Sequence, residues 1–292
     1  MPEGDTLHRT ANRLRPALAG ATLSRFEAPR LRGDRPVPGV AITDVEAVGK
    51  HLLIHFEGGL TLRTHLGMPG SWHLYEQGQR WRKPRHLLRA LVAVPGWDAV
   101  CFSAPTVETY RRDHPGGALG TDLDPVGHLG PDLCTPDPDL DEALRRYAEA
   151  CDPTTEIAVV LLDQKLASGI GNVYKSEVLH RCRVDPFASV GDVPVEVRRQ
   201  LLALSNRLLL HNLTTTRRTT VPGPPGSVAV RDLVWRLAVF TPSTTTLPLV
   251  GSARVTTLSL PLSLPDRTTT RSPLWILSPA ITAPPGRVRR CA

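Results

Sequence analysis

The spacing of apolar residues changes once along this chain, and that change decides what it can fold into. From Thr22 to about Tyr110 the apolar residues come in short alternating runs: Leu52-Leu53-Ile54-His55-Phe56, then Glu57-Gly58-Gly59, then Leu60-Thr61-Leu62-Arg63-Thr64. A period of two on either side of a glycine turn is a hairpin, and His86 to Val94 and Ala99 to Ser103 read as further strands. From Leu140 onward the period is helical. Asp139 or Asp141 caps a helix through Ala150, Thr154 or Thr155 caps one through Ala167, Val173 to Cys182 forms another, and Pro194 opens one through Leu210. The expected fold class is therefore α+β, a β-sandwich or barrel-like sheet followed by a helical half. Residues 113–138, rich in Asp, Pro and Gly, read as the linker between them.

One helix precedes the strands. Leu7, Ala11, Leu14 and Leu18 share a helical face, Gly20 stops the helix, and Pro16 marks a kink in its last turn. Pro2 and Glu3 then stand at its N-terminus, where the helix dipole disfavours protonation of an amine and favours a carboxylate. Removal of Met1 makes Pro2 a secondary amine with a reference pKa of about 8, so a sizeable fraction is unprotonated near neutrality. Such an amine condenses with a sugar aldehyde to an iminium, which is cationic without a proton and serves as an electron sink. A proline at position 2 is frequent, and alone it signifies nothing.

Composition excludes more than it selects. With 292 residues the chain has room for two domains. Its longest apolar runs, such as Ile157 to Leu162, fall far short of the ~20 residues of a membrane span, and Glu3 and Asp5 stand where a secretory signal would be basic. These readings point to a cytoplasmic protein. Cys101, Cys134, Cys151, Cys182 and Cys291 are scattered, with no Cys-x-x-Cys pair, which points to reduced thiols and to no metal site. The net charge of +7 is uneven, since residues 231–292 hold eight arginines against Asp232 and Asp266. The other residues are near neutral, so global charge is weak support for a nucleic-acid partner.

Several motifs occur in order: Met1-Pro2-Glu3-Gly4-Asp5, Val48-Gly49-Lys50-His51-Leu52-Leu53, His65-Leu66-Gly67-Met68-Pro69-Gly70-Ser71-Trp72, Leu129-Gly130-Pro131-Asp132, and Leu162-Asp163-Gln164 with Gly169-Ile170-Gly171-Asn172. Together they resemble the formamidopyrimidine-DNA glycosylase and endonuclease VIII family over roughly residues 1–230, with the Pro-Glu-Gly start nearer the endonuclease VIII branch. The resemblance implies an N-terminal catalytic β-sandwich domain (1–112), the linker (113–138) and a DNA-binding domain with a helix-two-turn-helix motif (139–230). It implies a monomeric base-excision repair enzyme acting on double-stranded DNA with damaged bases or abasic sites, removing oxidised bases, pyrimidines by the branch, and cutting the strand by elimination.

Carried over residue by residue, Pro2 is the nucleophile and Glu3 the general acid and base. Lys50, one of only four lysines, matches the catalytic lysine; a solvated turn lysine is its ordinary alternative. Asn172 matches the asparagine that hydrogen-bonds DNA phosphates, a helix cap being the alternative. Met68 matches the residue that fills the gap left by a flipped base, against a core methionine. Arg111 and Arg112 stand about where the family places other DNA-binding groups, and a solvated loop accounts for them equally well.

The family's zinc ribbon of four cysteines has no counterpart, so no cofactor is expected. Residues 231–292 instead contain 24 Ser, Thr or Pro among 62. They read as a coding sequence translated in a shifted frame, or else as a natural zincless tail binding DNA through its arginines. A chain that keeps the fold and binds damaged DNA without cutting is the alternative function.

Overall fold

The alternating segment folds as two antiparallel four-stranded sheets. The computed structural model describes residues 2–111, 125–215 and 218–220. One sheet carries β1 (Arg25–Glu27), β6 (Leu88–Val94), β7 (Trp97–Phe102) and β5 (Ser71–Glu76), in that order; the other carries β2 (Ile42–Val48), β3 (His51–Phe56), β4 (Leu60–His65) and β8 (Thr106–Arg111). Alternation sends Leu52, Ile54 and Leu62 from one sheet, and Trp72, Ala90, Val92 and Cys101 from the other, into a single core. Helix α1 (Gly4–Leu18) lays Leu7, Ala11, Leu14 and Leu18 onto that core. Each of these three leucines is at most 1% exposed, which is worth about 2 kcal/mol apiece in transfer terms. Pro16 lies on the exposed face of α1, where the carbonyl it leaves unpaired can take water, and the helix runs on to Leu18.

Three of the four helices expected beyond Leu140 form nearly as expected. α2 (Leu140–Ala150) begins at Asp139, whose side chain accepts the Glu142 N–H at 2.8 Å. α4 spans Asn172–Cys182, and α5 spans Val195–His211 after Pro194. The helix expected through Ala167 is cut to α3, Ile157–Val160, and it is preceded by Glu156 rather than capped by Thr154 or Thr155. Side chains past it compete for the backbone. Asp163 accepts the Lys165 N–H at 2.9 Å, and Gln164 donates to the carbonyls of Leu162 and Ile170 while accepting from Gly169.

Residues 125–138 of the expected linker are packed rather than loose. Leu133 and Cys134 belong to the core of the helical half, and the Leu129 side chain is buried with Leu53 of β3. Residues 112–124 and 231–292, including Arg112 and the whole Ser/Thr/Pro-rich tail, lie outside the described residues. Among the described residues, no helix is long and apolar enough to cross a membrane.

Candidate active site

Glu3 serves two helices at once. Its backbone carbonyl accepts from the N–H groups of Thr6 and Leu7 and so starts α1. Its carboxylate turns away and caps α4, a helix that begins 169 residues further on. Oε2 accepts the Gly171 N–H at 2.8 Å and the Tyr174 N–H at 3.4 Å, and Oε1 accepts the Val173 N–H at 2.9 Å. The first N–H groups of a helix have no partner of their own, and a carboxylate there gains both charge-assisted hydrogen bonds and the helix dipole. The fit depends on Gly171, where a Cβ would overlap the Glu3 carboxyl group. The Gly4 N–H donates to the Gly169 carbonyl at 2.9 Å, which fastens the chain start to the same turn.

Glu3 is fully buried. Burial pushes its carboxyl above the usual range, while Arg218, the Val173 N–H and Lys50 hold it back. Arg218 lies with its guanidinium 3.6 Å from Glu3 Oε1 and donates to both oxygens of buried Asp5, at 2.6 and 3.0 Å. It also donates to Thr6 Oγ1 at 2.9 Å and covers the Tyr174 ring at 5.3 Å. One cation thus ties residue 218 to α1 and α4.

Lys50 approaches from the turn between β2 and β3. Gly49 gives that turn a φ of +56°, a region where a side chain is strained, and packs so closely on Ser168 that a Cβ would stand 2.9 Å from the serine Cβ. Its N–H donates to Asp132 Oδ2 at 2.7 Å. Asp132 lies 2.9 Å from His8 Nε2 and accepts the Cys134 N–H at 2.8 Å, so one carboxylate clamps the lysine turn to α1 and to the helical half. Burial favours the neutral form of Asp132, but these hydrogen bonds outweigh it and hold its carboxyl below the ordinary value. Burial lowers the Lys50 ammonium against the pull of the Glu3 carboxylate.

Beside Lys50, on paired positions of β3 and β4, His51 and His65 place their rings 5.0 Å apart. Burial, with Arg63 and His65 nearby, takes His51 down to about 3, and burial with Arg63 and Lys50 lowers His65. At both rings burial and the neighbouring Arg63 disfavour the protonated form. Three residues beyond His65, Met68 is 69% exposed, at odds with a core methionine. Asn172 is the first residue of α4 and half-buried; its side chain does not cap the helix, because Gly171 holds the cap position and Glu3 supplies the acceptor.

Pro2 is half-buried beside Glu3. The structure thus brings Pro2, Glu3, Lys50 and Asn172 into one region, with Met68 beyond His65. It does not bring Arg111 there. Arg111 pairs with Leu60 and donates to the Gly58 carbonyl, while His65 pairs with Thr106 at the other end of the same ladder. Five residue steps, roughly 17 Å, separate the two ends.

Sequence reasoning missed the parts played by Arg218, Asp132, His51 and His65. His65 was legible in principle, since it opens the Gly-Met-Pro-Gly motif. The other contacts join residues far apart in the chain. The zinc expected of the family finds no fit among the described residues, where Cys101, Cys134, Cys151 and Cys182 are separate free thiols. His8, Asp132 and Cys134 bring ligand atoms within 4.8 Å of one another, but the Asp132 oxygens already accept hydrogen bonds and the Cys134 sulfur is wedged against Gly4 and Gly169.

The fold is that of a MutM (Fpg) protein. The crystal structure of the Thermus thermophilus protein of that name superposes with a TM-score of 0.59 at 28% identity, over 79% of this chain and 85% of that one. Residues 1–100 match the formamidopyrimidine-DNA glycosylase N-terminal domain, and residues 129–220 match its H2TH domain. The chain is 41% identical over 224 residues to a Streptomyces coelicolor protein named probable endonuclease 8 2, covering 75% of this chain and 78% of that one. It is 34% identical over 222 residues to the Mycolicibacterium smegmatis protein named DNA-(apurinic or apyrimidinic site) lyase Nei2, covering 75% and 81%. The chain belongs to the formamidopyrimidine-DNA glycosylase and endonuclease VIII family, on its endonuclease VIII side.

Proposed function

We propose that this chain, a DNA glycosylase and abasic-site lyase by family, acts through Pro2 as a Schiff-base nucleophile with Glu3 as its proton carrier, on oxidised pyrimidines in duplex DNA. The observation that carries the reading is the buried Glu3 carboxylate, fixed by three backbone N–H groups next to Pro2. With Met1 removed, the Pro2 lone pair attacks C1′ of the damaged nucleotide, the C1′–N bond breaks with its electrons leaving on the base, and the proton that the Pro2 nitrogen then sheds passes by way of Glu3 to the base, which restores the nitrogen lone pair. The C1′–O4′ bond then opens as the iminium forms, O4′ gaining a proton. Loss of the C2′ proton feeds electrons toward the iminium and expels the 3′ phosphate, and water finally releases the sugar fragment. A carboxyl raised by burial exchanges protons at each stage more readily than an ordinary glutamate near neutral pH. Lys50, His65 and Asn172 would receive the phosphates around the lesion. In this reading residues 1–112 are the catalytic domain, 113–138 the connection and 139–230 the DNA-binding domain, and the enzyme works as a monomer.

The test is an incubation of the full chain with an abasic or thymine-glycol duplex and borohydride. A covalent protein–DNA adduct, with strand cutting when borohydride is omitted, is the expected result. Binding with neither adduct nor cutting would leave a damaged-DNA binding protein and no enzyme.

Met68 gives this reading a second check. An exposed, flexible side chain can fill the gap of a flipped base and offset part of the few kcal/mol that flipping costs. Met68→Ala should lower kcat/KM on a thymine-glycol duplex by about tenfold. Cutting at an abasic site in single-stranded DNA, where no stack needs refilling, should stay near the wild-type rate. Equal losses on both substrates would show that Met68 is not a wedge.

A further inference from the structure

The segment that joins β5 to β6 is the most basic stretch among the described residues. Between Gln77 and Leu87 it carries Arg80, Arg82, Lys83 and Arg85 and no acidic residue. It runs back over the outer face of the β1-β6-β7-β5 sheet and is held there. Trp81 packs edge-on against Phe102 with ring centroids 5.9 Å apart, Tyr75 Oη accepts the Arg82 N–H at 3.1 Å, and the Ser103 N–H donates to the Leu87 carbonyl at 2.8 Å. Arg85 covers the Trp81 ring at 5.6 Å and bonds Glu27 at 2.8 Å. Arg80, Arg82 and Lys83 form no ion pair among the described residues, and Arg80 and Arg82 are exposed. Residues 79–85 line an open groove of about 500 Å³.

The place of this groove decides what it meets. Lys83 Nζ donates to Ser71 Oγ at 2.8 Å, and Ser71 is the first residue of β5, directly after the Met68-Pro69-Gly70 turn. Ser71 pairs with Phe102, as does Leu88 at the start of β6, so the basic segment returns to the edge that carries Met68. Three residues of chain span at most about 10 Å. Lys83 thus lies within roughly four base-pair steps of Met68, at 3.4 Å per step.

We propose that Arg80, Arg82 and Lys83 form a docking surface for the phosphate backbone of duplex DNA flanking the lesion. This inference rests on the function proposed above and adds to it a contact outside the reacting site. The proposed contact is to phosphate oxygens, which position DNA without reading its sequence, and the Trp81 face that could stack a base is already covered by Arg85.

Anisotropy titrations of the full chain with a labelled duplex of about 25 base pairs, holding a tetrahydrofuran abasic analogue, test it at about 50 to 200 mM KCl. Each phosphate contact adds about 0.9 to the slope of log affinity against log salt, so the double variant Arg80→Ala/Arg82→Ala should lower that slope by about 2. Its affinity should fall at least about tenfold at the lowest salt. Arg145→Ala, which removes an exposed charge from α2, should leave the slope unchanged. An unchanged slope in the double variant, or an equal change per charge in Arg145→Ala, overturns the docking surface while leaving the proposed function intact. Failure of the wild-type chain to bind the duplex overturns both.

Discussion

Pro2→Leu should reduce the borohydride-trapped adduct on an abasic duplex to background, while Lys50→Ala keeps the adduct and slows its formation. Methionine aminopeptidase action requires a small second residue, so leucine retains Met1. The nitrogen of residue 2 is then an amide without a nucleophilic lone pair, and the terminal amine moves one residue, about 3.8 Å, up the chain. A misplacement of 1 Å can cost about 100-fold in such reactions, so the loss should be complete in practice. Lys50 is the rival this experiment must remove. Its ammonium is lowered by burial, and a desolvated lysine is itself a Schiff-base former. Mass spectrometry of the tryptic adduct decides between them. An adduct that survives Pro2→Leu and disappears in Lys50→Ala, or a fragment mapping to Lys50, would overturn the assignment of Pro2.

Much of the fold could be read from local pattern because its causes are local. The period of two over Leu52 to Thr64 requires a hairpin, and the Leu7, Ala11, Leu14, Leu18 face requires an amphipathic helix; both form. Asp139 caps α2 through its own neighbour three residues on, so that start was legible as well. The helix expected through Ala167 failed because Asp163 takes the Lys165 N–H and Gln164 the Leu162 carbonyl, groups a continuing helix would need, and propensity gives no warning of such bonds. Where Arg111 stands could not be read for a related reason. Its distance in sequence from the motifs said nothing about which end of β4 it would face, since that depends on register.

The site was legible as residue types and not as an arrangement. Pro2, Glu3, Lys50 and Asn172 could be singled out, yet the contacts that assemble them run from Glu3 to Val173, from Gly49 to Asp132 and from Asp5 to Arg218. Such pairings carry no periodicity. Each also leaves one partner unexplained at its own position: Asp132 reads as a loop acid and Arg218 as a surface arginine until the other half is seen. Glu3 is the clearest instance, because a carboxylate at the start of one helix would ordinarily be assigned to that helix.

The second large effect tests that arrangement without altering any chemical group. Gly171→Ala should lower both the rate of adduct formation and the stability of the chain. The added methyl would occupy the position of the Glu3 carboxyl, so the carboxylate must leave the α4 N-terminus or the turn must shift. Moving it leaves the N–H groups of Gly171 and Val173 without their acceptor in a buried place. Each unsatisfied group costs about 1–3 kcal/mol, and partial repair by water makes about 3 kcal/mol a reasonable total for the unfolding free energy. The same displacement carries the proton carrier away from Pro2, and at about 1 Å a loss near 100-fold in rate follows. Glu3→Gln is the informative companion. It keeps the shape and one acceptor oxygen but cannot exchange protons, so it should lose more of the rate and less of the stability than Gly171→Ala. Urea denaturation midpoints and single-turnover trapping rates measured on both variants separate the two effects. A Gly171→Ala protein with wild-type stability and wild-type trapping would mean that the cap is not what holds Glu3 in its working position.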